Sequence, residues 1–124
     1  SLPVCALALS EVRLMNNRLF PWVVLVPQVG NASEIIDLAR EQRQRLMDEI
    51  AQLSEAMRKI YQPAKLNVAA LGNITPQLHV HLVARMVDDA AWPKPVWGQG
   101  SEPYEPQAAE AEITALRAVL GQPN

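Results

Sequence analysis

Apolar and polar positions along the chain fall into segments of two different periods. Leu2 to Met15 is apolar with only Glu11 and Arg13 charged, and Val12 and Leu14 alternate with Arg13. That alternation predicts extended backbone. Asn16-Asn17 is a turn signal, and Phe20 to Val26 reads as a second strand. This second strand is β-branched and continuous, the pattern of a strand covered on both faces. The two segments together predict an antiparallel hairpin, followed by a loop from Pro27 to Asn31.

The period then changes. Leu46, Ile50, Leu53, Met57 and Ile60 recur at steps of four and three, which puts them on one stripe of a helix. Ser33 is the expected N-cap, with Glu34 in the first turn, and Pro63 is the stop. The pattern leaves open whether this stretch is one helix or two. Lys65 to Leu71 predicts a third strand, ending at Gly72-Asn73. Gln77 to Arg85 predicts the fourth and alternates most cleanly. Gln77, His79, His81 and Val83 lie on one face, and Leu78, Val80, Leu82 and Ala84 on the other. Asp88 to Pro106 is irregular. A last helix is expected from Pro106 to Leu120, with Ala109, Ile113, Leu116 and Leu120 as its stripe and Gly121 as its stop. The order ββαββα predicts an α+β fold with helices on one side of an antiparallel sheet.

Composition narrows the function classes. The 124 residues suit one domain spanning 1–124, and 49% hydrophobic content supplies a core. Net charge is −2 and no run of Lys or Arg stands out, which argues against long nucleic acid as a partner. No apolar run approaches the ~20 residues of a membrane helix. Cys5 is the single cysteine, so no internal disulfide forms and a cytoplasmic location is expected. Its apolar surroundings predict a buried structural thiol. Arg40, Arg43 and Arg45 are expected on a solvated helix face. Arg85, at a strand end, is read either as facing a phosphate or as solvated.

The candidate chemistry sits in Gln77-Leu78-His79-Val80-His81, which holds both histidines of the chain. One intervening residue puts them on the same face of a strand, with backbones ~6–7 Å apart. Two imidazoles at that distance bracket a group the size of a phosphate. Neutral imidazole is a nucleophile when one ring nitrogen holds the proton, usually against a carbonyl, and the other is free. A second imidazole then steadies charge on a non-bridging oxygen. Three readings stay open on spacing alone. The pair is structural, it is nucleophilic, or it forms a metal-binding module completed by Asp88, Asp89 or Cys5.

Leu78-His79-Val80-His81-Leu82-Val83-Ala84-Arg85 resembles the signature of the histidine triad (HIT) superfamily, His-φ-His-φ-His-φ-φ with φ apolar. Gly72-Asn73-Ile74-Thr75-Pro76 sits where that family has its Gly-Gln-Ser/Thr segment. Lys65-Leu66-Asn67-Val68 resembles the strand with a phosphate-side Asn. Leu14-Met15-Asn16, followed by Val23-Val24-Leu25-Val26-Pro27, resembles the ribose-contacting Asn and the strand after it. The resemblance runs from about Val12 to Trp97.

The resemblance implies a HIT-like fold: an antiparallel sheet of about five strands, a long helix and a C-terminal helix. It implies a homodimer in which two sheets join. It assigns His79 as nucleophile and His81 as a contact to the α-phosphate. Asn16, with Asn17 as the competing alignment, and Asn67 become substrate contacts, with Asn73, Thr75 and Trp97 beside them. The implied activity is cleavage of a nucleoside phosphoramidate or dinucleoside polyphosphate through a nucleotidyl-histidine intermediate. The ligand is then a purine nucleotide or dinucleoside polyphosphate. No cofactor is required, and a divalent metal enters only with the substrate. A catalytically weak nucleotide-binding protein and the metal module are the alternatives.

The chain departs from the pattern at three places. Gln77 stands for the first triad histidine and cannot titrate. Ile74 stands for the Ser/Thr and has no hydroxyl, and Thr75 beside it points away if that stretch is extended. Pro21-Trp22 stands for a Gly-His, with Trp22 read either as a base-stacking or as a core residue.

Overall fold

The structure is a computed structural model describing residues 1–122. Five strands form one antiparallel sheet: β1 (Leu2–Ala6), β2 (Ser10–Leu14), β3 (Trp22–Pro27), β4 (Lys65–Ala69) and β5 (Val80–Arg85), in the order β1-β2-β3-β5-β4. Two helices, α1 (Arg40–Tyr61) and α2 (Pro106–Val119), complete an α+β fold. Among the described residues, no helix is long and apolar enough to cross a membrane.

The first expected strand is two strands. Leu2 to Met15 folds back at Leu7–Leu9, where Leu7 N–H donates to Ser10 C=O at 2.8 Å, and β1 pairs with β2. No Gly, Pro or Asn marks that turn, so hydropathy alone runs straight through it. The hairpin expected across Asn16-Asn17 is the β2–β3 pair, closed by Met15 N–H on Trp22 C=O at 2.8 Å.

Ser33 does not cap the long helix. Its amide and hydroxyl both bind Asp37 Oδ2, holding a single 3-10 turn over Ile35–Asp37. The helix α1 starts later, with Ala39 as N-cap and Gln42 Oε1 accepting its amide at 2.8 Å. It is one unbroken helix of 22 residues, ending at Gln62 in the left-handed conformation just before Pro63. The last helix starts on Pro106 and turns off at Gly121, whose φ is 73°. The third strand is shorter than expected and stops at Ala69. The ladder of the fourth begins only at Val80. Gln77 to His79 lead into it outside the ladder, with a bend at Gln77, yet keep the expected parity: Leu78 joins the helix-side core, and Gln77 and His79 border a cleft.

That parity sets two cores. Leu78, Val80, Leu82 and Ala84 face α1 and α2, packing with Leu53, Met57 and Leu116. Val83 faces the other way, against Phe20, Trp22, Val24, Ala91 and Val96. The segment after β5 folds back over this second face, so β3 is covered on both sides as its continuous apolar run predicts. Cys5 is half-buried against the helix-side core, and burial pushes its thiol up from its ordinary value. Arg40, Arg43 and Arg45 lie on the exposed face of α1.

Arg85 is neither solvated nor turned to a ligand. It is 2% exposed. Its Nε and Nη2 fork onto the two carboxylate oxygens of Asp89 at 2.8 and 3.0 Å. Its Nη1 donates to Asn67 Oδ1 at 2.9 Å. The Phe20 and Trp92 rings flank its guanidinium at 5.7 Å. Asp89 also accepts the amides of Met86, Ala91 and Trp92. One buried ion pair therefore ties β4, β5 and the segment that covers the second face.

Candidate functional site

The open end of the second face carries the histidine pair. His79 Nδ1 stands 2.7 Å from the backbone carbonyl of Gln77. A carbonyl only accepts, so Nδ1 carries the proton and the His79 Nε2 lone pair is free. His81 has the opposite arrangement. Its Nδ1 accepts the indole N–H of Trp22 at 3.0 Å, which leaves its proton on Nε2. The two rings lie 4.8 Å apart at 73°, so a lone pair and an N–H donor stand side by side. Trp22 thus has a role that neither sequence reading gave it.

Both histidines line two lobes of one cleft. The first, about 280 Å³, is bounded by Arg13, Met15, Val24, Val26 and Gln77. The second, about 320 Å³, is bounded by Trp22, Leu71, Asn73, Ile74 and Trp97. Met15 and Thr75 are shared between the lobes. Each approaches the size of a small-ligand pocket, and the first has an apolar floor beside the polar pair. Thr75 is not turned away as an extended stretch would make it. Gly72, with φ 80°, turns this stretch, and Thr75 borders both lobes. Trp97 stands edge-on to His81, ring centroids 5.2 Å apart, at the wall of the second lobe.

Not every expected contact comes together here. Asn16 is exposed, and its Oδ1 accepts the amide of Tyr104 at 2.9 Å, bordering a different cleft near the start of α2. Asn17 is buried, donating to Gly100 C=O and accepting from Leu19 and Glu102. Both asparagines hold the incoming C-terminal segment, so neither faces the histidines. Asn67 is held on Arg85 and borders a separate groove beside Pro93, Pro95 and Trp97. Conversely, Arg13, Met15, Val24 and Val26 line the first lobe without being among the expected contacts. The inward parity of Val12 and Leu14 was the available signal, because it puts Arg13 and Met15 on the opposite face with His79.

Gln77 has a definite job. Its Nε2 donates to the carbonyls of Pro27 and Val29 at 3.1 and 3.4 Å, pinning the loop after β3. The contact to His79 comes from the Gln77 backbone, which any residue supplies. Gln77→Ala should therefore cost about 1 kcal/mol of stability, read by urea unfolding, and lower turnover less than roughly tenfold. The metal module lacks its third ligand. Among the described residues, no group of three His, Cys, Asp or Glu side chains could hold an ion, and Asp89 is held by Arg85.

Burial, and then the neighbouring His79 ring, push the His81 imidazole down to about 4. An unfolded histidine has its ordinary value near ~6.5, so below that the unfolded chain takes up a proton the folded site refuses. Stability is full above the unfolded value and declines as pH falls toward about 4. The expected loss is roughly 2 kcal/mol after allowing for solvent screening. Urea unfolding at about pH 7 and about pH 5 measures it, and His81→Asn should flatten the difference.

Comparison with known proteins agrees with this geometry. A family model for the HIT domain matches residues 4–87. A histidine triad protein from Bradyrhizobium japonicum superimposes with a TM-score of 0.94 at 43% identity, over 96% of this chain and 90% of that one. One from Marinobacter aquaeolei VT8 gives 0.92 at 43% identity, over 96% and 88%. One from Sinorhizobium meliloti 1021 gives 0.92 at 36% identity, over 94% and 87%. Among curated proteins, none matches the chain. The chain belongs to the histidine triad family, and its histidine segment reads Gln77-Leu78-His79-Val80-His81.

Proposed function

We propose that the protein binds a purine nucleotide or dinucleoside polyphosphate and cleaves it as a hydrolase or nucleotidyl transferase. His79 Nε2 is the nucleophile. The observation that carries this reading is the His79 Nδ1–H bond to the Gln77 carbonyl, which makes Nε2 the lone-pair nitrogen of the neutral ring, in a residue that borders both lobes. In the proposed reaction Nε2 attacks the α-phosphorus, forming a P–N bond as the bond to the leaving group breaks. The His81 Nε2–H steadies charge on a non-bridging oxygen. Water then attacks phosphorus, releases the nucleotide and restores the His79 lone pair. The nucleoside lies against the apolar floor of Met15, Val24 and Val26. Chain residues perform each step, so no resident cofactor is needed, and a divalent cation enters only as the counterion of a polyphosphate. A single half-buried cysteine fits a cytoplasmic setting.

The test is incubation with adenosine phosphoramidate and with diadenosine tetraphosphate, followed by release of adenosine monophosphate and mass spectrometry of the intact protein. An adduct of one adenylyl group located on His79 supports the reading. Product formation with no adduct on His79 overturns the intermediate. A second reading, nucleotide binding with little turnover, is favoured by one observation. The Gln77 side chain is spent on Pro27 and Val29, and Ile74 offers no hydroxyl. It predicts tight monophosphate binding without product.

The homodimer is also proposed. β4 is an edge strand, and Val68, Leu71 and Ile74 stand exposed on or beside it at 48, 45 and 95%. A second copy paired along that edge covers them. Sedimentation equilibrium should give twice the chain mass, and Val68→Lys should shift the mass toward that of one chain.

A further inference from the structure

The histidine pair presents one acceptor and one donor to the cleft, and a single side chain sets the donor. An indole N–H only donates, so Trp22 cannot face a protonated Nδ1 of His81. Trp22 has little freedom to turn away. It is 6% exposed, packed among Phe20, Val24 and Val83, and edge-on to Trp97 at 5.5 Å. The His81 tautomer is therefore imposed by a rigid partner and not chosen by a ligand.

The amide side chains of the cleft supply no acid either. The Gln77 amide does not titrate, and the Asn73 amide is equally inert. Thr75 relays a proton only by receiving another. Among the described residues, the charged or titratable groups that share the cleft with His81 are His79, from its own segment, Arg13, from β2, and Ser1, which is hydrogen-bonded to Arg13 at the edge of the first lobe. Arg13 keeps its protons, and its guanidinium is already paired with Glu11.

We infer that Trp22 is a positioning residue that fixes His81 as an Nε2–H donor, so the site steadies phosphate charge but gives no proton to a leaving group. Resting on the reading of His79 as nucleophile, this narrows the substrate class. The site takes nucleotides whose leaving group departs as a stable anion, such as a phosphate, a polyphosphate chain or an acidic phenol. It disfavours those that must leave as an amine or alkoxide. In the first step the His79 Nε2 lone pair forms the P–N bond, and the leaving group departs with the bonding pair, unprotonated. His79 becomes an N-phosphorylated imidazolium whose Nδ1–H stays on the Gln77 carbonyl. In the second step water displaces the imidazole, and its proton passes to solvent.

Two measurements test this, and they fail separately. Long-range proton–nitrogen NMR of the wild-type protein reads the His81 tautomer without any turnover. A single Nε2–H form, unchanged from about pH 5 to about pH 8, is expected. A Nδ1–H form, a mixture, or titration in the ordinary imidazole range overturns the role of Trp22. Trp22→Phe should release the lock and give mixed tautomers, and the wild-type spectrum decides even if that variant does not fold. The second measurement compares kcat/KM for the adenosine 5′-phosphoro-4-nitrophenyl ester with that for adenosine phosphoramidate. General-acid help is worth roughly 10²–10⁴-fold, so the ester should lead by that order. Trp22→His, which can exchange a proton with His81, should narrow the gap. Equal rates on the two substrates in wild type overturn the leaving-group inference. Turnover of neither overturns the nucleophile reading itself, while the NMR result on Trp22 still stands or falls alone.

Discussion

His79→Ala should lower nucleotide turnover roughly 10⁴-fold or more, with little change in nucleotide affinity. The loss corresponds to about 5–6 kcal/mol of transition-state stabilisation. The ring supplies the bond-forming lone pair, and nothing else in the cleft replaces it. Gln77 is an amide held on Pro27 and Val29, and His81 turns a proton, not a lone pair, toward the cleft. Affinity should survive because Met15, Val24, Val26, Thr75 and His81 still line the lobes. Steady-state kinetics with isothermal calorimetry on the same variant separates the two. A His79→Ala rate equal to wild type would falsify the nucleophilic role. The stability of this variant should stay near wild type, since His79 is only half-buried and its hydrogen bond is a local one, to the carbonyl two residues before it.

Asp89→Ala should be the most damaging single change to the fold. It leaves the Arg85 guanidinium 2% exposed with its two-pronged partner gone. Breaking a buried pair by removing one partner costs about 3–5 kcal/mol, a large share of the total for a small domain. The amides of Met86, Ala91 and Trp92 lose their acceptor at the same time. Those amides order the segment that carries Val96 and Trp97 over the second face, so the second lobe of the cleft should loosen as well. Calorimetric unfolding measures the loss, and a midpoint within a few degrees of wild type would refute it. Asp89→Asn, which keeps one acceptor oxygen, should fall between the two. The Arg85 side chain, ahead of the smaller help from backbone amides, pulls the Asp89 carboxyl down to about 2. Its contribution is full above the ordinary carboxylate range and fades only as pH falls toward about 2. Acid sensitivity should therefore begin with His81, at milder pH, and reach this pair last.

Much of the fold was legible because hydropathy parity is a local property. The alternation from Leu78 to Ala84 puts one set of side chains under the helices and His79 and His81 on the other face, whatever the strand pairs with. The same holds for the stripe of α1 and for Pro106 and Gly121 at the ends of α2. The turn at Leu7–Leu9 was not legible, because its residues are as apolar as the strands around it. The Ser33 cap differs from expectation for a related reason. Ser33 does make a capping-type contact, but with Asp37, and it closes a 3-10 turn short of the helix.

The candidate site divides in the same way. By itself, the sequence determined that two histidines share a strand face beside an apolar segment, because residue spacing and backbone pleat are covalent facts. Family resemblance then ranked His79 above His81. Only the tertiary structure decided which ring offers a lone pair and which a proton. Trp22 and His81 lie 59 residues apart in sequence, and no local pattern pairs an indole with an imidazole at that distance. Nor could spacing show that Asn16, Asn17 and Asn67 are committed elsewhere. Each amide is satisfied by a backbone or side chain far along the chain. A hydrogen bond depends on angle and distance between groups that only the packed sheet brings together. Orientation, not residue identity, was therefore what the tertiary structure added.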